Sequence, residues 1–164
     1  MRVSQVMMVF CALCLMRTQA VALCAKDATI DQLIEAGKKG EQAFAQGDLK
    51  MLRYWAGQAR EEIIPCLHLP LSPKQAAVFH RLMALEALTR YNFKRVVSEL
   101  HAARRLDPGY AIPSEVAEGD HPLLTYYEDA AGMPDGDAEP IYAPGDGYVM
   151  VGGVRNAPRL SQTP

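Results

Sequence analysis

Charge of one sign is what this sequence has least of. Its 17 lysines and arginines stand against 19 aspartates and glutamates, a formal net charge of −2 over 164 residues. So balanced a chain lacks the electrostatic footprint of a nucleic-acid binder, and with 49% hydrophobic residues it is too apolar to be intrinsically disordered. Catalytic signatures are missing too: no HExxH, Walker loop, dinucleotide glycine pattern or nucleophile elbow occurs. No apolar run is long enough to span a bilayer as a mature helix. A chain of this length can bury one moderate core, so one main domain is expected.

Cysteine is scarce and unevenly placed. Of four, Cys11 and Cys14 sit in the apolar run 6–16, which follows Arg2 and leads to the small-x-small end Ala20-Val21-Ala22. That pattern reads as a signal peptide over 1–22, cleaved after Ala22, and places the mature chain in the periplasm or outside the cell; an uncleaved amphiphilic anchor is the alternative. Cleavage removes two cysteines and leaves Cys24 and Cys66. Cys24 stands five residues before the first expected helix and Cys66 directly after the second, so an antiparallel pair would bring them together as a disulfide, which an oxidising compartment permits. Lipid attachment at Cys24 is the rival fate, although Leu23 is bulky for a lipoprotein signal.

Helix punctuation is abundant. Thr29-Ile30-Asp31-Gln32 is a capping box, and Ile30, Leu33, Ile34, Gly37 and Phe44 share a face behind it. Gly47-Asp48 closes that helix and caps the next, striped by Leu49, Leu52, Ala56, Ala59 and Ile63 until Pro65. The Pro-rich connector PCLHLPLSP ends in a second capping box, Ser72-Pro73-Lys74-Gln75. The third helix, residues 76–91, is apolar nearly all round and belongs in the middle of a stack. Asn92 caps the fourth, whose stripe is Phe93, Val96, Val97, Leu100, Ala103 and Leu106. Arg104 and Arg105 sit at its C-terminus, where positive charge meets exposed carbonyls, and Pro108 forbids another turn. A last short helix, 123–130, follows Asp120-His121-Pro122.

The charges then separate. Residues 26–105 carry 13 basic and 9 acidic side chains, a balance of +4, whereas ten acids and no lysine or arginine lie between Arg105 and Arg155. The acidic half is either solvated or docked on the basic one. Residues 132–147, rich in proline, glycine and acid, read as a linker, and Tyr148 to Val151 before Gly152-Gly153 read as a β-run and a two-residue turn.

The second helix pair resembles a tetratricopeptide repeat through Ala84, Ala87, Phe93, Val96, Leu100, Ala103 and the terminating Pro108. The first is similar more loosely, through Gly40, Gly47-Asp48, Leu49, Leu52, Ala56 and Ala59, so the likeness covers residues 29–110. Pro144-Gly145, the β-run with its glycine turn, and Thr163-Pro164 resemble a fragment of a PEGA-type envelope module. The resemblances imply an all-α fold of antiparallel hairpins stacked in tetratricopeptide fashion over 23–131, then the linker and a β-hairpin tail over 148–164.

A non-catalytic module follows, binding a protein or peptide partner on the concave face of its helical stack, without cofactor, metal, nucleic acid or a membrane span in the mature chain. Its candidate contact residues are Trp55, the sole tryptophan, flanked by Arg53 and Arg60 one heptad apart. Two other readings stand beside it: a structural envelope component anchored through the β-tail, and a hydrolase or metal-dependent enzyme built on Cys66, His68, His80 and His101.

Overall fold

A computed structural model describes residue 24, residues 26–135 and the backbone of four two-residue strands beyond them. The expected signal peptide 1–22 and, but for those strands, the linker past residue 135 and the tail 148–164 lie outside the described residues. Five α-helices make up most of the described chain: α1 (Ile30–Ala45), α2 (Leu49–Gly57), α3 (Pro73–Thr89), α4 (Phe93–Leu106) and α5 (Pro122–Ala131).

Each start is set by a side chain that answers an otherwise unpaired N–H. The N–H of Thr29 donates to Gln32 Oε1 at 2.8 Å while that of Gln32 donates to Thr29 Oγ1 at 3.3 Å; Ser72 and Gln75 repeat the arrangement at 2.8 and 3.4 Å. Asp48 accepts from the N–H of Met51 and Asn92 from that of Arg95. His121 Nδ1 caps α5 by accepting from Leu123, a role normally taken by Ser, Asp or Asn.

The end of α2 departs from expectation. The α-helix stops at Gly57, a π-helical turn covers Gln58–Ile63, and a 3₁₀ turn, Ile64–Cys66, carries Pro65. Proline has no N–H to offer the preceding turn, and the helix widens before it breaks. The break brings the exit of α2 back beside the entrance of α1, where the N–H of Ala28 donates to the Cys66 carbonyl at 3.0 Å. Cys24 and Cys66 are joined in a disulfide, with Cα atoms 5.4 Å apart across 42 residues of sequence.

The core runs through the contacts of α1, α2, α3 and α4. Leu33, Leu52, Leu82, Met83, Val96 and Leu123 are fully buried, each removed from water at a gain of roughly 1.5–3 kcal/mol. On α1 the buried stripe is Leu33, Ala36, Gly37, Gly40 and Ala43, and Ile34, expected inside, is exposed. Glycine is required at two of these positions because α3 comes so close: a Cβ on Gly37 would collide with Val78, and one on Gly40 with Leu82. The third helix is central, as its all-round apolarity predicts, and buries His80 and Glu86 along with its aliphatic residues. Glu99 on α4 answers His80, its Oε2 lying 2.8 Å from His80 Nδ1, while its Oε1 accepts from Arg95 Nε at 3.1 Å. The short helix α5 packs on α4 through Leu123 and Ala130.

Two acids of the acidic half pair with arginines of the helices, while Glu115, Glu118, Asp120, Glu128 and Asp129 are exposed. Asp107 pairs with Arg81 at 3.3 Å and Asp135 with Arg105 at 2.8 Å. Farther on, Ala138–Glu139 pairs antiparallel with Arg159–Leu160, and Met150–Val151 with Val154–Arg155. These two-residue ladders are all that is described past residue 135.

Candidate partner-binding site

One face of the helices is covered by the chain itself. After α4, residues 107–121 cross α1 and α3. Tyr110 donates its hydroxyl to Glu41 at 3.2 Å, and the Arg81 guanidinium stacks 3.8 Å from the Tyr110 ring centroid. Val116 and Ala117 are buried, Ile112 packs on the core, and His121 meets Phe44 edge to face at 5.7 Å. Tyr127 on α5 fixes the crossing by donating to the Tyr110 carbonyl at 2.5 Å. Burial pushes the Glu41 carboxyl above its ordinary pKa, only partly offset by Arg81 and the Tyr110 hydroxyl; burial and the charge of Glu41 push the Tyr110 hydroxyl up in turn. What remains between Glu41, Arg81, Leu85 and Val116 is a crevice of about 10 Å³.

Trp55 lies elsewhere, between two recesses. Its ring packs on the core edge, meets Tyr54 edge to face at 5.0 Å, and carries the Lys39 ammonium 4.7 Å from its centroid. One recess, about 290 Å³, is shared with Lys39, Gln42, Gln46 and Met51. The other is a cleft of about 730 Å³ between the entrance of α1 and the π-turn after α2. Its walls are Trp55, Ile63, Ala28 and the Cys24–Cys66 bridge, and its rim carries Asp27, Asp31, Glu35 and Glu62. Glu35 pairs with Lys39 at 3.1 Å, Glu62 accepts from Gln58 at 2.6 Å, and Asp27 holds His68 at 2.7 Å.

The three candidate residues therefore do not form one face. Positions 53 and 55 lie 200° apart on an α-helix at 100° per residue, and the π-turn shifts everything after Gly57 further. Arg53 is exposed. Arg60 hydrogen-bonds Glu61 at 2.7 Å, which holds its pKa up, and reaches Glu86 on α3 at 3.9 Å. Buried Glu86, also bound by Arg90 Nε at 2.6 Å, is the reason Arg60 turns toward α3. Trp55 carries the Lys39 ammonium on its ring, and the rim of the larger cleft beside it is mainly carboxylate, with no guanidinium group lining it.

The residues weighed for catalysis are similarly separated. Cys66 is bonded to Cys24 and carries no thiol. His80 is held by Glu99. His101 Nδ1 donates to the Ala130 carbonyl at 3.0 Å, which leaves Nε2 facing Asp135 Oδ1 at 3.2 Å, within ion-pair distance but off hydrogen-bond alignment.

An apolar hollow of about 400 Å³ opens at the end of the bundle where the α1–α2 and α3–α4 turns meet α5, lined by Phe44, Leu49, Leu88, Tyr91, Phe93 and Tyr126. Phe93, expected on the buried stripe of α4, is 45% exposed and stacks on Tyr126 at 5.4 Å, because the first residue of α4 overhangs the core. Tyr91 is 80% exposed and takes a left-handed φ of 56°, the conformation Gly47 supplies in the preceding hairpin turn. Compared with known proteins, the chain matches no family model, no curated protein and no solved structure.

Proposed function

We propose that this chain is a non-catalytic protein–protein interaction module of the bacterial cell envelope, exported by its 1–22 signal and folded as tetratricopeptide-like hairpins, and that it holds a segment of a partner protein in the cleft beside Trp55. The observation that carries the reading is the cleft itself: about 730 Å³, inside the roughly 300–1,000 Å³ of small-ligand sites and so roomy enough for a side chain or two of a partner segment. Its two walls are tied together covalently by Cys24–Cys66, so little order has to be imposed on binding. Trp55 offers a broad, half-buried ring of the kind that dominates binding energy at interfaces.

The structural-component reading draws on the short antiparallel ladders beyond residue 138. Site-specific photocrosslinking in envelope separates the two. Crosslinkers at Gln32 and Gln58, both lining the cleft, should capture a partner that one at exposed Arg53 misses. The same capture should survive truncation after Ala131. Capture lost on truncation, or equal capture from Arg53, would favour anchoring through the tail.

A further inference from the structure

The cleft's charge is selective against its background. Residues 26–105 hold 13 basic and 9 acidic side chains, yet four of those nine acids, Asp27, Asp31, Glu35 and Glu62, line this one cleft, and of the thirteen bases only Lys26 does. The balance on the lining is thus −3 in a helical region whose total is +4. Asp31 has no ion-pair or hydrogen-bonding partner among the described residues, and Asp31 and Glu35 stand one helical turn apart on α1, across from Glu62 on the π-turn. Beneath them the surface is apolar: Trp55, Ile63, Ala28 and the disulfide. An aliphatic stem can lie on that floor while its charged head reaches the rim, the way lysine and arginine cover apolar surface. The Trp55 ring carries the chain's own Lys39 4.7 Å from its centroid, and Lys39 lines the smaller recess and pairs with Glu35; the unpaired Asp31 is the rim charge that the chain itself leaves unanswered.

We infer that the cleft binds a lysine- or arginine-bearing segment of its partner, the basic side chain seated along Trp55 and Ile63 with its head among Asp31, Glu35 and Glu62. This rests on the reading of the cleft as the binding site, and it reverses the sign of the partner that Arg53 and Arg60 would select. An acidic or phosphorylated segment would be repelled here.

Trp55 is the sole tryptophan, so its fluorescence reports directly on the cleft. The full-length oxidised protein is titrated with three capped hexapeptides of equal length and apolar content, carrying two arginines, two glutamines or two glutamates. The arginine peptide should saturate the Trp55 signal with a Kd about tenfold or more below that of the glutamine peptide, and weaken several-fold as sodium chloride rises from 20 to about 300 mM. Asp31→Asn with Glu62→Gln should abolish that preference while leaving the melting temperature within about 2 °C, since both carboxylates are exposed. Equal binding of the arginine and glutamine peptides would overturn the charge selection and leave the binding cleft standing. Spermidine binding as tightly as the arginine peptide would make this a small-polyamine site and overturn the protein partner. No response to any of the three peptides would overturn both readings.

Discussion

Removing the Cys24–Cys66 bridge should destabilise the protein chiefly through its unfolded chain. The bridge closes a loop of 42 residues that contains the whole α1–α2 hairpin, and the loop-entropy relation sets its stabilisation at about 4 kcal/mol as an upper figure. For a described stretch of about 110 residues, an unfolding entropy near 2.1 cal/mol/K per residue converts 4 kcal/mol into a fall in Tm of about 17 °C. The folded geometry should largely survive, because the Ala28 N–H still donates to the Cys66 carbonyl and Leu33 and Leu52 stay buried between the two helices. The assay is thermal unfolding of the oxidised protein against the Cys24→Ala/Cys66→Ala variant, with intact mass under non-reducing conditions to count thiols. The expected pattern is a lowered Tm with unchanged helical circular dichroism. A shift under about 3 °C, or two titratable thiols in the exported protein, would refute the reasoning.

Other perturbations test separate parts of the fold. Gly40→Val should cost about 1–3 kcal/mol by driving α1 off Leu82, read as a lowered urea midpoint; an unchanged midpoint would mean the α1–α3 approach is looser than described. Tyr91→Gly should stabilise by up to about 1 kcal/mol by relieving a left-handed tyrosine, unless its edge contact with Phe93 at 6.3 Å outweighs the strain, which a drop in Tm would show. Burial raises the Glu41 pKa in the folded state, so the folded protein binds that proton more tightly than the unfolded chain does. Stability from this site is therefore present at low pH and is lost as pH rises through the folded pKa. Glu41→Gln should gain on the parent between pH 4 and pH 7 in urea unfolding, and a gain in the opposite direction would overturn the sign. Trp55→Ala should cost about 1–2 kcal/mol in stability from its half-buried ring and lower cleft affinity at least tenfold; intact binding would remove Trp55 from the site.

Local signals were legible where the physics is local. Thr29/Gln32 and Ser72/Gln75 announce helix starts because the hydrogen bonds that make a capping box join residues three apart, and the Cys24–Cys66 pairing follows from the antiparallel turn that Gly47-Asp48 demands. The relative placement of Arg53, Trp55 and Arg60 was not legible, because that geometry is not local. A wheel drawn at 100° per residue places Arg53 and Arg60 together, but the π-turn at Gln58–Ile63 breaks that phase, and the buried carboxylate of Glu86 that draws Arg60 comes from a helix 26 residues on. One sequence signal for the covered face was present. Arg81 is a charged group on the central, mostly apolar helix and demands a partner; Asp107 and the aromatic Tyr110 in the acidic half supply it, while His80 and Glu86 are answered by Glu99, Arg60 and Arg90.

That demand also fixes the crossing segment in place. Lifting residues 107–121 off α1 and α3 would strip Arg81 of Asp107 and of the Tyr110 ring, leave Glu41 without the Tyr110 hydroxyl, and expose Val116 and Ala117 together. Arg81 and Asp107 are part-buried, so separating them costs less than breaking a fully buried pair, but the loss adds to the exposure of two core residues, Val116 and Ala117. The crossing segment is therefore part of the core, not a lid over a groove. Under the proposed reading a partner meets the helices where apolar surface is left uncovered, and among the described residues the cleft beside Trp55 combines an apolar floor, a covalently fixed wall and four carboxylates on its rim.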